Sequence, residues 1–287
     1  MNRACPRARP RGVREPRALL RYNASGRGGD RIPTAAGGRR VRYEWLVEHH
    51  ATEATYWWFR NKRRLVFQWL ARHVPLGGEL LEVGSGGGYL SAVLQARGWR
   101  VTSADCWPAA AAFARERGVP RALAFDAGVP WPLRDASYDV IVMLDVVEHL
   151  PDDALVMNEL RRVLRPGGYA VVSVPAYPWL FSAWDSYNQH FRRYTAGHLR
   201  RIAHGAPLTV REAGYWNLIS LPPAIFLRLR DRWRGVTLEH AEYPPVSRLV
   251  DRLLVGWGWL EAAWLRWLPL PAGLSAYAIL HRDEEDR

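Results

Sequence analysis

The sequence predicts an α/β fold: a largely parallel sheet with helices on both faces. Three observations carry that expectation. Leu80-Leu81-Glu82-Val83 reads as the end of a buried strand, Gly84-Ser85-Gly86-Gly87-Gly88 as a turn, and residues 89–96 as a helix. Val140-Ile141-Val142-Met143-Leu144 is an unbroken apolar run, which suits a strand buried on both faces. Further strand-like runs at 99–104, 122–125, 169–174, 208–215 and 275–280 are set apart by helical or polar stretches, as in an α/β chain. The chain has 287 residues, 48% of them apolar, so one large domain with additions is expected rather than two equal domains.

The strand, glycine turn and helix at 80–96 form a cradle for a nucleotide cofactor. Glycines let the backbone approach a ligand, and the helix N-terminus adds partial positive charge. Glu82 sits two residues before the first glycine, where a carboxylate meets the polar end of such a ligand. A dinucleotide fingerprint wants glycine or alanine five positions after the first glycine, and that position is Tyr89. The second strand ends at Asp105, about 20 residues on, where α/β cofactor folds bind ribose hydroxyls. That acid alone does not separate one nucleotide cofactor from another.

The pattern Glu82-x-Gly84-x-Gly86-x-Gly88 resembles the first motif of class I S-adenosylmethionine (SAM) dependent methyltransferases. Downstream segments agree in order. Residues 122–125 lead to Asp126, where the family places an acid beside the adenine amino group. Residues 129–139 are similar to the run ahead of the family's fourth strand, and Asp145-Val146-Val147-Glu148-His149-Leu150 to the signature after it. Residues 160–168 resemble the helix end and turn before strand five, with Gly167 and Gly168 expected to close the helix. The resemblance covers about 43–282. It implies a seven-stranded Rossmann-like methyltransferase sandwich, with strand seven antiparallel beside strand six, and SAM as cofactor. It also implies cofactor contacts at Glu82, Gly84, Ser85, Gly86, Gly88, Asp105, Cys106, Asp126, Ala127, Leu144 and Asp145.

Additions flank this core. A helical N-terminal lid is expected over 43–75. Its segment Tyr56-Trp57-Trp58-Phe59-Arg60-Asn61-Lys62-Arg63-Arg64 is similar to one in a subset of bacterial methyltransferases, type 11/12-like, where it covers the cofactor. Aromatic rings there exclude water from a sulfonium, and an arginine holds a carboxylate; an amphipathic helix with solvated arginines is the alternative. The loop after strand five, with Trp184, Gln189-His190-Phe191-Arg192-Arg193-Tyr194, resembles a further element of that subset, except that Trp184 stands where histidine is expected. His190 is the candidate general base, because imidazole titrates near neutrality. Arg192 or Arg193 is the candidate clamp for an anionic acceptor group, and His149 the second candidate base. Asp152 and Asp153 read as helix caps.

Between strands six and seven lies a helical insert at 217–274. Trp257, Trp259, Trp264 and Trp267, beside arginines, suit a lipid interface, while Glu261 and Arg266 interrupt the run too much for a membrane span. A cap packed on the domain or on a second subunit, bordering an apolar acceptor pocket, is the expectation; peripheral membrane contact is the alternative.

Net charge is +12, and residues 1–42 hold twelve arginines against Glu15 and Asp30. This Arg/Pro/Gly-rich tail has no apolar period and is expected to be a disordered, solvated extension, attraction to anionic lipid or nucleic acid being the functional alternative. No apolar stretch of a secretory leader follows its arginines. A short charged tail closes the chain at 283–287. Cys5 and Cys106, far apart, suggest neither a disulfide nor a zinc site and suit a reducing compartment. The expected function is methyl transfer from SAM to a small-molecule or lipid-linked, hydrophobic acceptor. The expected place is the cytoplasm, with peripheral contact at the inner membrane face; no metal and no nucleic acid is expected. Two other classes stay open: a nicotinamide oxidoreductase, and a catalytically silent methyltransferase-like partner protein, against which the intact glycines and three acids speak.

Overall fold

The computed structural model describes residues 43–238 and 244–284. The tail 1–42 and the last three residues of the 283–287 segment lie outside the described residues. Two helices, α1 (Tyr43–Thr52) and α2 (Trp57–His73), precede β1 (Glu79–Val83), α3 (Tyr89–Gln95), β2 (Arg100–Asp105), α4 (Pro108–Glu116), β3 (Ala122–Ala124) and β4 (Tyr138–Leu144). A 3-10 turn at Val147–His149, α5 (Asp153–Val163) and β5 (Leu164–Pro175) follow. Then come α6 (Ala183–Tyr187), α7 (Ala196–Gly205), β6 (Thr209–Trp216), α8 (Leu221–Trp233), α9 (Arg248–Trp264) and β7 (Ser275–His281).

The sheet has the order β3-β2-β1-β4-β5-β7-β6. Strands β1 to β5 are parallel, and β7 runs antiparallel to β5 and β6. The order reverses between β1 and β4, where helices diverge to opposite faces and leave a crevice at the carboxyl ends of the strands. Leu81 and Ile141 look to one face and Leu80 and Val140 to the other, and each face is closed by its own helix layer. Asp152 caps α5 by accepting the Leu155 N–H at 2.9 Å, and Thr195 caps α7.

One boundary differs from the sequence reading. Helix α5 ends at Val163, and Leu164 is already extended and paired with Tyr138, so β5 begins five residues earlier than expected. Gly167, at φ +80°, turns within the irregular start of the strand rather than closing a helix, and its N–H donates to the Arg282 carbonyl at 2.7 Å. The pairing registers shift between Tyr138 and Val140 to absorb it.

The insert forms α8 and α9, and only a narrow face of α9 is covered. Val255, Gly258, Glu261 and Ala262 are buried there. Asn61 of α2 donates to the Leu254 carbonyl at 3.0 Å, and a Cβ at Gly258 would fall 2.2 Å from Asn61 Cγ, so glycine sets the close approach. Glu261 accepts N–H groups from Asn217 and Leu218 and from the Trp257 indole. The expected tryptophan cap is corrected: Trp259 is 61% exposed and Trp264 54%, because the covered face of α9 is the one that carries Gly258 and Glu261, and Trp267, past the end of the helix, is 85% exposed.

Helix α2 is anchored by Trp69, which stacks on Tyr277 of β7 with ring centroids 4.6 Å apart. Trp69→Ala removes a fully buried indole and is expected to cost about 3–5 kcal/mol of unfolding free energy, read as a lowered urea midpoint; a shift below about 1 kcal/mol would mean α2 is not docked on the sheet.

Candidate functional site

The glycine turn between β1 and α3 is built by backbone geometry. Gly84, Gly86 and Gly88 have φ of 74°, 54° and 76°, a region L side chains rarely adopt. A Cβ at Gly84 would lie 2.1 Å from Val146 Cγ2, and one at Gly88 2.7 Å from Ala114 Cβ. The Gly86 N–H donates to Asp105 at 2.9 Å, and the Trp107 N–H to the other oxygen at 3.0 Å, so the acid ending β2 is fastened to the turn. Helix α1 and the residue that follows it cover the same turn: a Cβ at Gly87 would lie 2.7 Å from His50 Nδ1 and 2.1 Å from Glu53 Oε1.

Three carboxylates therefore gather here, Glu53, Glu82 and Asp105. Burial pushes Glu82 up to about 8, although the Ser91 hydroxyl donates to it and pulls the other way. Burial also pushes Glu53 up to about 8, against the Arg117 guanidinium 2.7 Å away. Asp105 is raised by burial as well. On helix α1, burial and neighbouring cations hold His49 down to about 3 and His50 to about 4. At the end of β3, Asp126 Oδ1 accepts the Gly128 N–H at 2.8 Å, while Oδ2 is buried with no hydrogen-bond partner; the buried Ser85 hydroxyl is also without one. Cys106 is exposed beside Asp105. Ala127 packs in the core, and its carbonyl accepts the Trp131 indole N–H at 3.1 Å.

A cavity of about 280 Å³ opens beside the turn at the carboxyl ends of β1 and β4. Of the residues singled out by sequence, Gly84, Leu144, Asp145, His149, His190 and Arg193 line it; Glu82, Ser85, Gly86, Gly88, Asp105, Cys106, Asp126 and Ala127 do not. Trp57, Trp58, Phe59 and Lys62 of α2 complete the wall with Trp184. No arginine of the 56–64 segment plays the part expected of it. Arg60 pairs with Asp251, Arg63 donates to the Glu53 and Ala54 carbonyls, and Arg64 lies over Trp259. Lys62 is the cation that enters, and it pairs with Asp145.

Asp185 organises the far wall. It accepts from His190 Nδ1 at 2.9 Å and from Arg193 Nε at 2.7 Å, with Arg228 3.9 Å away. Burial would raise this carboxyl, but the His190 hydrogen bond and the charges of Arg193 and Arg228 hold it near 2. His190 thereby has Nδ1 occupied, leaving Nε2 as the nitrogen available to a proton or a cation. Arg193 is not a free clamp: it is buried, and its Nη1 donates to the Ala176 carbonyl at 2.9 Å. Arg192 is likewise spent on Asp153 and the Pro151 carbonyl. The His149 ring stands edge-on to His190, centroids 4.6 Å apart, and burial holds it down to about 3. Sequence reasoning missed Lys62, Glu53, Asp185 and Glu148; the four-residue spacing of Trp58 and Lys62 is the signal that puts both on one helix face.

Residues 81–172 match a family described as a methyltransferase domain. Over these residues the chain is similar to SAM-dependent methyltransferases. It is 39% identical over 123 residues to a probable S-adenosylmethionine-dependent methyltransferase of Mycolicibacterium smegmatis, covering 43% of this chain and 47% of that protein. It is 33% identical over 112 residues to the ubiquinone biosynthesis O-methyltransferase of Xylella fastidiosa, covering 37% and 45%. The chain thus spans about half the length of these curated relatives. In fold it is similar to the methyltransferase solved in complex with the Trm112 activator of Haloferax volcanii, with TM-score 0.56 and 19% identity over 85% of this chain and all of that one. The Mycolicibacterium relative is named as SAM-dependent, and SAM is the cofactor these comparisons support where Asp105 alone left the choice open. The residues fit it: bare glycine backbone, the unpartnered Asp126 Oδ2 and Ser85 hydroxyl, and acids at the ends of β1 and β2.

A pH dependence follows. Glu82 and Glu53 hold protons up to about pH 8 in the folded protein but only to about 4.5 when unfolded. Their contribution is full at low pH and is lost as pH rises towards 8. The depressed histidines titrate with opposite sign, but only below about 6.5. Between pH 6.5 and 8.5 the melting temperature of the cofactor-free protein is expected to fall, and Glu82→Gln to reduce the slope by up to about 1.4 kcal/mol per pH unit. A wild-type melting temperature that rises across that window would contradict the assignment.

Proposed function

We propose that this protein transfers the methyl group of SAM to a hydrophobic, lipid-linked acceptor taken up at a membrane surface. The observation that carries the reading is the junction at Gly84, Leu144 and Asp145, where the glycine turn meets the aromatic-walled cavity. SAM supplies an already activated methyl group, so the protein's work is alignment and exclusion of water. In this reading Glu82 and the glycine turn hold the amino-acid end, Asp105 the ribose and Asp126 the adenine. Ser85, Cys106, Ala127 and Leu144 shape the pocket. Residues 43–282 act as one unit in which α1 and α2 are the lid, and Trp57, Trp58 and Phe59 keep water from the reacting centre. His190, oriented by Asp185, faces the acceptor's nucleophilic atom, and Arg193 positions Asp185.

The insert supports the choice of acceptor. Ser220, Arg228 and Pro244 of the 217–274 segment line the cavity, while Phe226, Trp233, Leu253 and Leu260 stand exposed on α8 and α9, and Trp267 just after α9. Exposed Arg234, Arg248, Arg252 and Arg266 accompany them. Aromatic and aliphatic side chains interleaved with arginine suit the headgroup region of an anionic bilayer. Among the described residues no helix is long and apolar enough to cross a membrane. In this reading the exposed apolar and arginine side chains of the insert bring the protein to the inner face of the membrane as a peripheral protein.

The enzymatic reading is tested with radiolabelled SAM and lipid extract, alongside calorimetry. SAM is expected to bind and NAD(P) not. Gly86→Val should abolish SAM binding, because a branched side chain at φ +54° both strains the turn and collides with His49. His190→Ala should lower turnover by about 100-fold or more while SAM affinity stays within a factor of about two. A protein that binds SAM but labels no lipid, small-molecule or polymer fraction would be the silent partner instead.

The membrane reading is tested by co-sedimentation with phosphatidylglycerol-containing vesicles. Trp259→Ala, Trp264→Ala and Trp267→Ala together should release the protein from vesicles and shift the melting point by no more than the roughly ±0.5 kcal/mol usual for surface changes. A stability loss without loss of vesicle binding would return the tryptophans to a packing role.

A further inference from the structure

The geometry points to a divalent-cation site formed by Glu148, His149 and His190 at the floor of the acceptor cavity. One ligand atom from each lies within 4.8 Å of the other two. All three residues line the cavity, so a cation held there keeps coordination positions open to an acceptor.

Four observations carry this. Glu148 is fully buried, and neither carboxylate oxygen has a hydrogen-bond partner among the described residues. A buried carboxylate left without partners costs several kcal/mol unless a proton or a cation joins it. The nearby side-chain cations are already committed, Lys62 to Asp145 and Arg193 to Asp185. Next, His149 Nδ1 is buried with no partner, while the ring also bonds the Asn188 backbone. A ring nitrogen fixed by the main chain, with the other left bare and unprotonated, is how a metal-binding imidazole is prepared. Then, His190 is oriented by a carboxylate, Asp185, through Nδ1 at 2.9 Å, the outer-shell arrangement that holds a histidine ligand in one tautomer. Last, Asp145 Oδ1, also unpartnered, lies close enough that its charge acts on Glu148.

Two imidazoles and one carboxylate select a borderline transition ion, zinc, cobalt or iron(II), over magnesium, whose preferred ligands are all oxygens. The site deepens the methyltransferase reading and rests on it: the cation holds the acceptor's hydroxyl oxygen. On binding, that O–H bond breaks and its proton leaves to water. The oxygen lone pair then forms the new C–O bond to the methyl carbon as the carbon–sulfur bond breaks and the pair departs on sulfur. The acceptor class is thereby narrowed to one bearing a phenol, enol or alcohol beside its apolar chain.

The test uses the full chain, stripped with a chelator and titrated with cobalt(II). Wild type should take up one cobalt per chain with visible absorption of a four- or five-coordinate ion, and zinc should displace it. Glu148→Gln and His149→Gln should each weaken cobalt binding by about 100-fold or more, and Asp185→Asn by about 10- to 100-fold. SAM affinity, measured by calorimetry on the same samples, checks that each variant is folded. Absence of the cobalt spectrum in wild type that still binds SAM would overturn the cation site and leave the methyltransferase reading intact. So would a spectrum unchanged in both Glu148→Gln and His149→Gln. Wild type that binds cobalt but not SAM would instead overturn the reading on which the site's role rests.

Discussion

The pairing of β1 with β4 is the constraint on which the rest depends. Leu80 to Val83 align with Val140 to Met143 residue for residue, so the glycine turn after β1 and Asp145 after β4 leave the sheet side by side. The paired segments are buried on both faces, and burial of that kind specifies the register strongly. Asp145 adopts φ +54° to leave the strand, and Val146 then fills the space that a side chain at position 84 would need. The turn can be bare backbone only because its neighbour supplies the packing.

Charge is handled by pairing in depth rather than by exposure. Acids approach the glycine turn from three places: Glu53 from the turn after α1, Glu82 from β1 and Asp105 from β2. Arg117 is the cation set against them, so two of the three find protonation easier than ionisation until a positive ligand group arrives. Across the cavity the balance reverses. Asp185 is surrounded by His190, Arg193 and Arg228 and stays ionised. The site thus has a proton-holding side near the glycine turn and a fixed-charge side across the cavity.

Much of this was legible in the chain. The strands, the glycine turn and the acids at 82, 105 and 126 announce themselves because each is a local pattern with a local cause: apolar runs, positive φ and strand ends. The tail at 1–42 was read by composition alone and lies outside the described residues. Side-chain commitments were not legible. Arg60, Arg63, Arg64 and Lys62 look alike in sequence, and only the phase of α2 against the sheet sends the lysine inward and the arginines to Asp251, to main-chain carbonyls and to Trp259. Arg193 looked like a free clamp because its partner Asp185 precedes it by eight residues across an irregular loop. Glu148 sits in a 3-10 turn that nothing in the sequence marks as buried.

The place of β7 has a bearing on how the chain is made. It lies between β5 and β6, and among the described residues β6 is an edge strand, with only an isolated bridge from Tyr215 to Leu270 besides. During synthesis β6 emerges before the whole 217–274 insert, and through that interval it has an open edge and no partner. The sheet closes only when the last strand threads between two that are already present. Late, long-range closure of this kind is slow and leaves unpaired edges exposed. Chaperone capture or aggregation would strike in that interval, so the length of the insert sets how long the nascent protein is vulnerable.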